Sequence, residues 1–424
     1  MIIIKNKIKA LVLPLAAAGF LLTSCNKDVK QFADLTPATP SSVGSISQTI
    51  AATPTDSLYY RMIVRAGMVA TLNDSSRAFT MLITDNNGMK IFVNAASGGL
   101  VPLAAPDAVF SAFIANTLPV ASAAGIVQYN TIGQKYPMAS IPGTFPNRPF
   151  ATQIVLDPTA PFARMVVCPV VKAPYSYANN IPFISFDQAA TNGVIHHTYT
   201  VVSPPSAVLR SMIAAEPTLS YFRAAILRAD SGQVVKPNND STNFFNYLLG
   251  YGLTNMTVLT PNDAAFQTLI FNLVYSKVFA ATGNAAIALA TANGAVAVGP
   301  AFLGTNNLLT SDVRGIMAYH FLASNLGAGY QPNIRVFAED VPPATATPFF
   351  IKTLVNTSVA THPGVIAVAT FTGPAVTSFK FVGLGPLLTP TTIPYSGAPA
   401  TAVAFDKHAV NGVYHIINQV LLPQ

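Results

Sequence analysis

Two kinds of hydrophobic spacing alternate along this chain. Apolar residues first recur at helical intervals. In "SLYYRMIVRAGMV" Leu58, Met62 and Ala66 share one face with Tyr59 and Ile63 beside them, and "TLSYFRAAILRA" repeats the arrangement with Leu219, Phe222 and Ile226. A short strand and turn follow each, "FTMLITDNNGM" from Phe79 and "MTVLTPNDAAF" from Met256. In the second, Pro261 and Asn262 predict a turn and a helix start before Ala264. Another helical stretch comes next, "AAGIVQYNTIGQKY" from Ala123 and "VRGIMAYHFLASNL" from Val313. Strand-like runs then take over: "TQIVL" and "ARMVVCPVV" in the first half, "FFIKTLV", "VIAVATF" and "FKFVG" in the second.

The order of elements therefore occurs twice, and both occurrences end on one phrase. "FDQAATNGVIHH" begins at Phe186 and "FDKHAVNGVYHI" at Phe405, sharing Phe-Asp, Asn-Gly-Val and a following His without a gap. The second copy is longer by roughly 40 residues, expected in the regions 280–307, 341–348 and 387–402. Asn-Gly between apolar runs predicts a tight turn into the last strand, since both residues tolerate positive φ. Asn192 and Gly193, and Asn411 and Gly412, are assigned to that turn, with Asp187 and Asp406 as cappers of its amides. Along the strand, alternation sets Val413 and His415 on one side and Tyr414 and Ile416 on the other. His196 and His415 are thus expected to be core histidines of the sheet.

The ends of the pattern differ. "MIIIKNKIK" followed by the short apolar run "ALVLPLAAAGFLL" has the form of a secretory leader, too short to span a membrane and broken by Pro14. It closes in "LTSC", which resembles a bacterial lipobox, so residues 1–25 are expected to be a lipoprotein signal peptide with Cys25 lipidated. Asn26 at the next position lacks the Asp that retains some lipoproteins in the inner membrane, favouring the outer membrane. Residues 26–55, rich in Pro, Ser and Thr, are expected to be a flexible tether. No other segment is expected to span a membrane. The apolar Ala285–Leu303 stretch, broken by Asn293, Gly294, Gly299 and Pro300, is expected to be a packed helical or loop excursion.

Composition narrows the chemistry. Hydrophobic residues make up 51% and charged residues only 9%, against about a quarter in an average domain, which suits a cell exterior. The net charge of +7 falls to about +4 without Lys5, Lys7 and Lys9, and the remaining basic residues are scattered in sequence. No basic run is interleaved with aromatics, so no nucleic-acid partner is expected. Cys168 lies in an apolar run and is expected to be a buried thiol. The six histidines form no ligand spacing, and His196 and His197 point to opposite faces of a strand, so neither metal nor cofactor is expected. No nucleophile elbow or phosphate loop occurs, and Glu216 and Glu339 are the two Glu in the chain. Asp56-Ser57-Leu58 and Asp240-Ser241-Thr242 resemble a bacterial O-glycosylation triplet.

With these residues in view, the second copy resembles the fasciclin domain in three landmarks: "TVLTPNDAAF", Tyr319-His320 and "NGVYHIINQVLLP". The first copy is a degenerate relative, with "TMLITDNNGM" and Tyr129-Asn130 in the first two places. The resemblance implies an α+β fold of two fasciclin-like domains, 56–205 and 206–424, each a twisted β-sandwich or wedge with helices on one side. It implies adhesion to an extracellular protein, matrix or polysaccharide rather than catalysis, and partner contact through Tyr319 and His320, with Tyr129 as the first-copy counterpart. Periodicity opposes that last implication, because Val313, Ile316, Met317 and His320 form one inward stripe. The rival expectation is an accessory glycan-capture component or weak hydrolase of a polysaccharide-utilisation system, with its site in the enlarged second domain.

Overall fold

Phe79–Thr84 and Met256–Pro261 are buried along their whole length, a pattern that a strand shows only when both faces of its sheet are covered. The computed structural model in which they lie describes residues 44–143, 145–231, 245–305, 308–327, 329–343, 348–383 and 400–423. The expected leader with Cys25, the tether as far as residue 43, and the triplet at Asp240 lie outside the described residues.

The first repeat supplies β1 (Phe79–Thr84), β2 (Thr131–Ile132), β3 (Phe150–Val155), β4 (Arg164–Val167), β5 (Pro169–Val170), β6 (Tyr177–Ala178), β7 (Ile181–Ala190) and β8 (Gly193–Thr198). They form one sheet in the order β4-β3-β2-β1-β8-β7-β6-β5. The second repeat supplies β9 (Met256–Pro261), the small hairpin β10 (Ser324–Asn325) and β11 (Tyr330–Gln331), β12 (Phe349–Ile351), β13 (Val365–Thr372), β14 (Ala375–Val382), β15 (Ala400–Ala409) and β16 (Gly412–Ile417). Its sheet runs β12-β13-β14-β15-β16-β9. In both, the closing strand lies parallel to the opening one, Gly193 opposite Phe79 and Gly412 opposite Met256.

Side-chain alternation along these central strands separates two cores. Met81, Ile83 and Ile195 face helices through Leu58, Met62 and Phe110, while Leu82 faces Ile132, Phe150 and Val167 across the curl of the sheet. In the second repeat Val258, Tyr414 and Ile416 face Phe222, Ile226, Phe266 and Met317, and Leu259 faces Val336, Phe379 and Phe381. Helices cover one face and sheet the other, so the fold is α+β with two repeats. Residues 45–424 form a single compact unit.

The first repeat starts earlier than residue 56. Ile46–Ala52 is a helix with Ser45 and Gln48 in a reciprocal cap, and Ile46 and Ile50 are fully buried. The tether expectation is corrected over this stretch, because a buried i, i+4 apolar pair sits among its Ser and Thr. Among the described residues the enlargement of the second repeat is largely helical, while the additions expected at 344–347 and 387–399 lie outside them. The helix after β1, Asn86–Ala96, has 11 residues, whereas the one after β9, Asp263–Thr282, has 20 and continues into Ala285–Ala297. Asp85 and Asn262 cap these two helices alike, accepting from Gly88 N and Ala265 N. Asp263–Thr282 is, among the described residues, long and apolar enough to cross a membrane. Length and apolarity alone do not decide the expectation that no segment beyond the leader spans a membrane. Its first half enters the core through Phe266, Leu269 and Ile270, and the antiparallel helix Ala285–Ala297 lies against the rest.

The tight turn into the closing strand is where the phrase places it, Thr191–Asn192 before Gly193 and Val410–Asn411 before Gly412, but the backbone differs from the one expected and the Asn side chain has a further task. Neither Asn192 nor Asn411 has positive φ. The Asn192 side chain accepts from Ile46 N at 2.8 Å and donates to Leu72 O and Asp74 O. Asn411 accepts from Leu209 N at 2.8 Å and donates to Leu249 O and Tyr251 O. Each carboxamide thus caps the repeat's first helix (Ile46–Ala52, or Leu209–Ala215) and ties down the loop before its opening strand. The glycine that follows is required by contact: a Cβ at Gly193 would stand 2.2 Å from Phe79 O, and one at Gly412 2.1 Å from Met256 O. Replacing Asn411 by Ala strands buried donors and acceptors at three places, so a stability loss of about 3 kcal/mol or more is expected in urea unfolding, against little change for the exposed Asn293→Ala.

Candidate functional site

The histidines of the repeated phrase are spent on backbone. Asp187 N donates to His196 Nδ1 at 3.1 Å, and His196 Nε2 donates to Tyr136 O at 2.9 Å. In the second repeat Asp406 N donates to His415 Nδ1 at 3.1 Å, and His415 Nε2 donates to Val336 O at 3.0 Å. An imidazole that accepts at one nitrogen and donates at the other is neutral. Burial pushes His415 down to about 4 and lowers His196 as well. Asp187 and Asp406 sit at positive φ where β7 and β15 bulge, and their carboxylates accept from Met138 N and Ala338 N. They cap distant 3-10 turns, which corrects their assignment to the Asn-Gly turn. The threonines opening β1 and β9 complete the set: Thr80 bridges Gln134 O and Tyr136 N, and Thr257 bridges Ile334 O and Val336 N.

Tyr319, His320 and Tyr129, assigned above to partner contact, have no exposed surface. The expectation is corrected for all three, because each is fastened inside a core. Tyr319 donates to Gly364 O at 2.7 Å and stands edge-on to His362. Tyr129 donates to Val166 O and accepts from Asn179. His320 Nδ1 donates to Ile316 O at 2.8 Å, and its Nε2 accepts from Leu421 N at 3.1 Å. Asn130, its first-copy counterpart, donates to Ile126 O and Val202 O, both at 2.8 Å. The missing histidine is thus replaced by an amide that reaches the same helix carbonyl and the same point after the closing strand.

Sequence reasoning missed the polar cluster where the repeats meet. Arg335 is buried, donating to His408 Nε2 at 2.8 Å and to Val410 O. Burial, then the Arg335 charge, holds His408 well below its ordinary range. Cys168, Phe337 and Val413 pack beside it, and burial raises the Cys168 thiol to about 12. Asp340 accepts from Phe337 N and from Asn147 of the first repeat, both at 2.8 Å. Lys172, also from the first repeat, donates to Glu339 O and Val341 O. Burial raises both Glu339 and Asp406, and the neighbouring Asp406 carboxyl raises Glu339 further. One signal for this cluster was present: "AED" directly after an apolar run, in a chain with so few charges.

Among the cavities formed by the described residues, three bear on function. The junction cavity, about 280 Å³, is lined by Asn147, Lys172 and Asp340 among apolar neighbours. A second, about 490 Å³, carries Arg77, Arg148 and Arg164 at β3 and β4. A third, about 670 Å³, is an apolar groove between Asp263–Thr282 and Ala285–Ala297. None of the three offers a pair of carboxylates. Among the described residues no group of three or more His, Cys, Asp or Glu is placed to hold a metal ion.

The buried ionisable groups set two opposed pH effects. His320 and His415, both held to about 4, stay neutral when folded but charge near 6.5 when unfolded. Stability from them is full above about 6.5 and is lost as pH falls toward 4, at about 3 kcal/mol per histidine. His320→Asn, which copies the first repeat, is expected to fold and to shrink that acid-side loss in urea titrations between pH 4 and 6.5. Asp340 runs the other way, because burial raises it to about 7. Its folded form holds a proton that the unfolded chain releases near 4, so stability falls as pH rises from about 4 to 7. Asp340→Asn is expected to gain on the parent across that window and to keep the gain above it.

No protein-family model matches the sequence, and no curated protein matches it. Among solved structures, a FAS1 domain pair from the insect cell adhesion molecule fasciclin I is similar at 11% identity and a TM-score of 0.32, covering 86% of this chain and 95% of that one.

Proposed function

We propose that this protein is a non-catalytic cell-envelope lipoprotein, anchored in the outer membrane through a lipid on Cys25, whose paired domains bind an extracellular protein, glycan or matrix polymer. The reading rests first on the fasciclin-like landmarks of the second repeat. The observation that carries it is the duplicate use of the closing phrase. His196 and His415 make the same two backbone bonds, and Asn192 and Asn411 make the same clamp, so the residues with chemical potential serve the framework twice over. The framework joins the repeats through Asn147–Asp340 and the Lys172 contacts. A glycosidase would need two carboxyl groups across one cleft. Asp340 is the single carboxylate at the junction cavity, and it is occupied by Phe337 N and Asn147.

Two measurements test the proposal. Radiolabelled fatty acid is expected to enter the full chain and not the Cys25→Ser variant, which is also expected to leave the membrane fraction. A soluble form of residues 26–424, applied to a glycan and matrix-protein array, is expected to give saturable binding without turnover of the bound ligand. Hydrolysis of any arrayed glycan would overturn the non-catalytic reading.

A further inference from the structure

We propose that the cleft lined by Arg77, Arg148 and Arg164 is a binding site for an acidic carbohydrate polymer, one bearing carboxylate or sulfate groups along its chain. The inference rests on the binding function proposed above and names its ligand class. In a chain with only 9% charged residues, β3, β4 and the approach to β1 bring three guanidinium groups to one opening. Far apart in sequence, they become neighbours because β1, β2, β3 and β4 are consecutive in the sheet.

Within the site these charges are not neutralised. None of the three arginines forms an ion pair with a carboxylate among the described residues. Asp74 is the acidic group closest in electrostatic effect, lowered in small part by Arg77, but its carboxylate is held first by Ser76. Arg77 donates through one nitrogen to Gln153 Oε1 at 3.2 Å, and Arg164 donates through one to Thr152 O and Gln153 O. Each keeps further N–H donors for a ligand, because a guanidinium has five. Arg148 is exposed and lies 5.7 Å from the Phe150 ring centroid. Like charges gathered this way repel, and an anion with planar or forked oxygens relieves the repulsion through paired hydrogen bonds.

Other lining groups point to a sugar rather than to a bare ion. Tyr136 lines the cleft and is backed by Phe150, their ring centroids 4.4 Å apart, which gives a supported aromatic surface beside the cations. Gln134 and Gln153 add amides of the kind that bond hydroxyls. The volume of about 490 Å³ is in the range of organic ligand sites and far exceeds one inorganic anion.

The test uses the compact unit, residues 45–424, with an oligogalacturonate and a sulfated oligosaccharide as probes and a carboxyl-reduced oligogalacturonate as the neutral control. Calorimetry is expected to show binding of at least one acidic probe that weakens with salt, and none of the control. Arg148→Gln and Arg77→Gln are each expected to lower affinity roughly tenfold, with little change in melting temperature because both side chains are exposed and Arg77 gives up only its bond to Gln153 and its contact with the Phe79 ring. Lys380→Gln in the second repeat is expected to leave affinity unaltered. Equal binding of the neutral control, or acidic-glycan affinity indifferent to both arginine variants, would overturn the assignment. So would arginine-dependent binding to anionic lipid vesicles with no binding of either oligosaccharide. If the array instead shows only neutral glycans or proteins, the general binding function stands and this site assignment falls.

Discussion

A single buried carboxamide does in each repeat what a disulfide does in many secreted domains. Asn192 and Asn411 sit where the closing strand begins, and each joins the first helix, the loop before the opening strand and the final strand at one point. The glycine beside each lets the opening strand's carbonyl pass at a distance no other residue would permit. A parallel pair of strands, central in the first sheet and at the edge of the second, follows from that contact, and both cores are laid down against it. Parallel pairing of segments so distant in sequence is entropically expensive to start. A clamp that satisfies several buried backbone groups at once offsets part of that cost.

From the clamp outward, the same few bonds recur. The Thr bridge, the bulged Asp and the neutral His form a polar thread through each sheet, held by backbone groups and, at Asp406, also by the Glu339 side chain. Low dielectric favours neutral species here, which is why the histidines are depressed and the junction carboxyls raised. The junction therefore joins the repeats with little net charge, apart from Arg335 and Lys172. The cleft at β3 and β4 is the opposite case, since three guanidinium groups line one opening with no carboxylate paired to them among the described residues.

Much of this was legible residue by residue. The helical stripes at Leu58, Met62 and Leu219, Phe222 are buried where periodicity places them, and so is His320. Val413 and Tyr414 fall on opposite faces, as alternation requires. The role of Asn192 was legible in place but not in mechanism: Asn-Gly reads as a turn because local signals know nothing of a helix 146 residues away. The helix at Ile46 was hidden by Ser, Thr and Pro, which resemble a linker when only two apolar residues mark the buried face. Asn130 appeared as a lost histidine, since the bonds that make it equivalent reach Val202, far along the chain.

By itself the sequence determined that one order of elements occurs twice, and that His196 and His415 lie inside. Those are consequences of spacing, and spacing is local. Which groups meet was decided only by the tertiary structure. Strand order brings Arg77 to Arg148 and Arg164, and the packing of one repeat on the other brings Asn147 and Lys172 to the "AED" segment. Charge interactions depend on distance in space, and no periodicity along a chain reports the distance between strands that pair across a hundred residues.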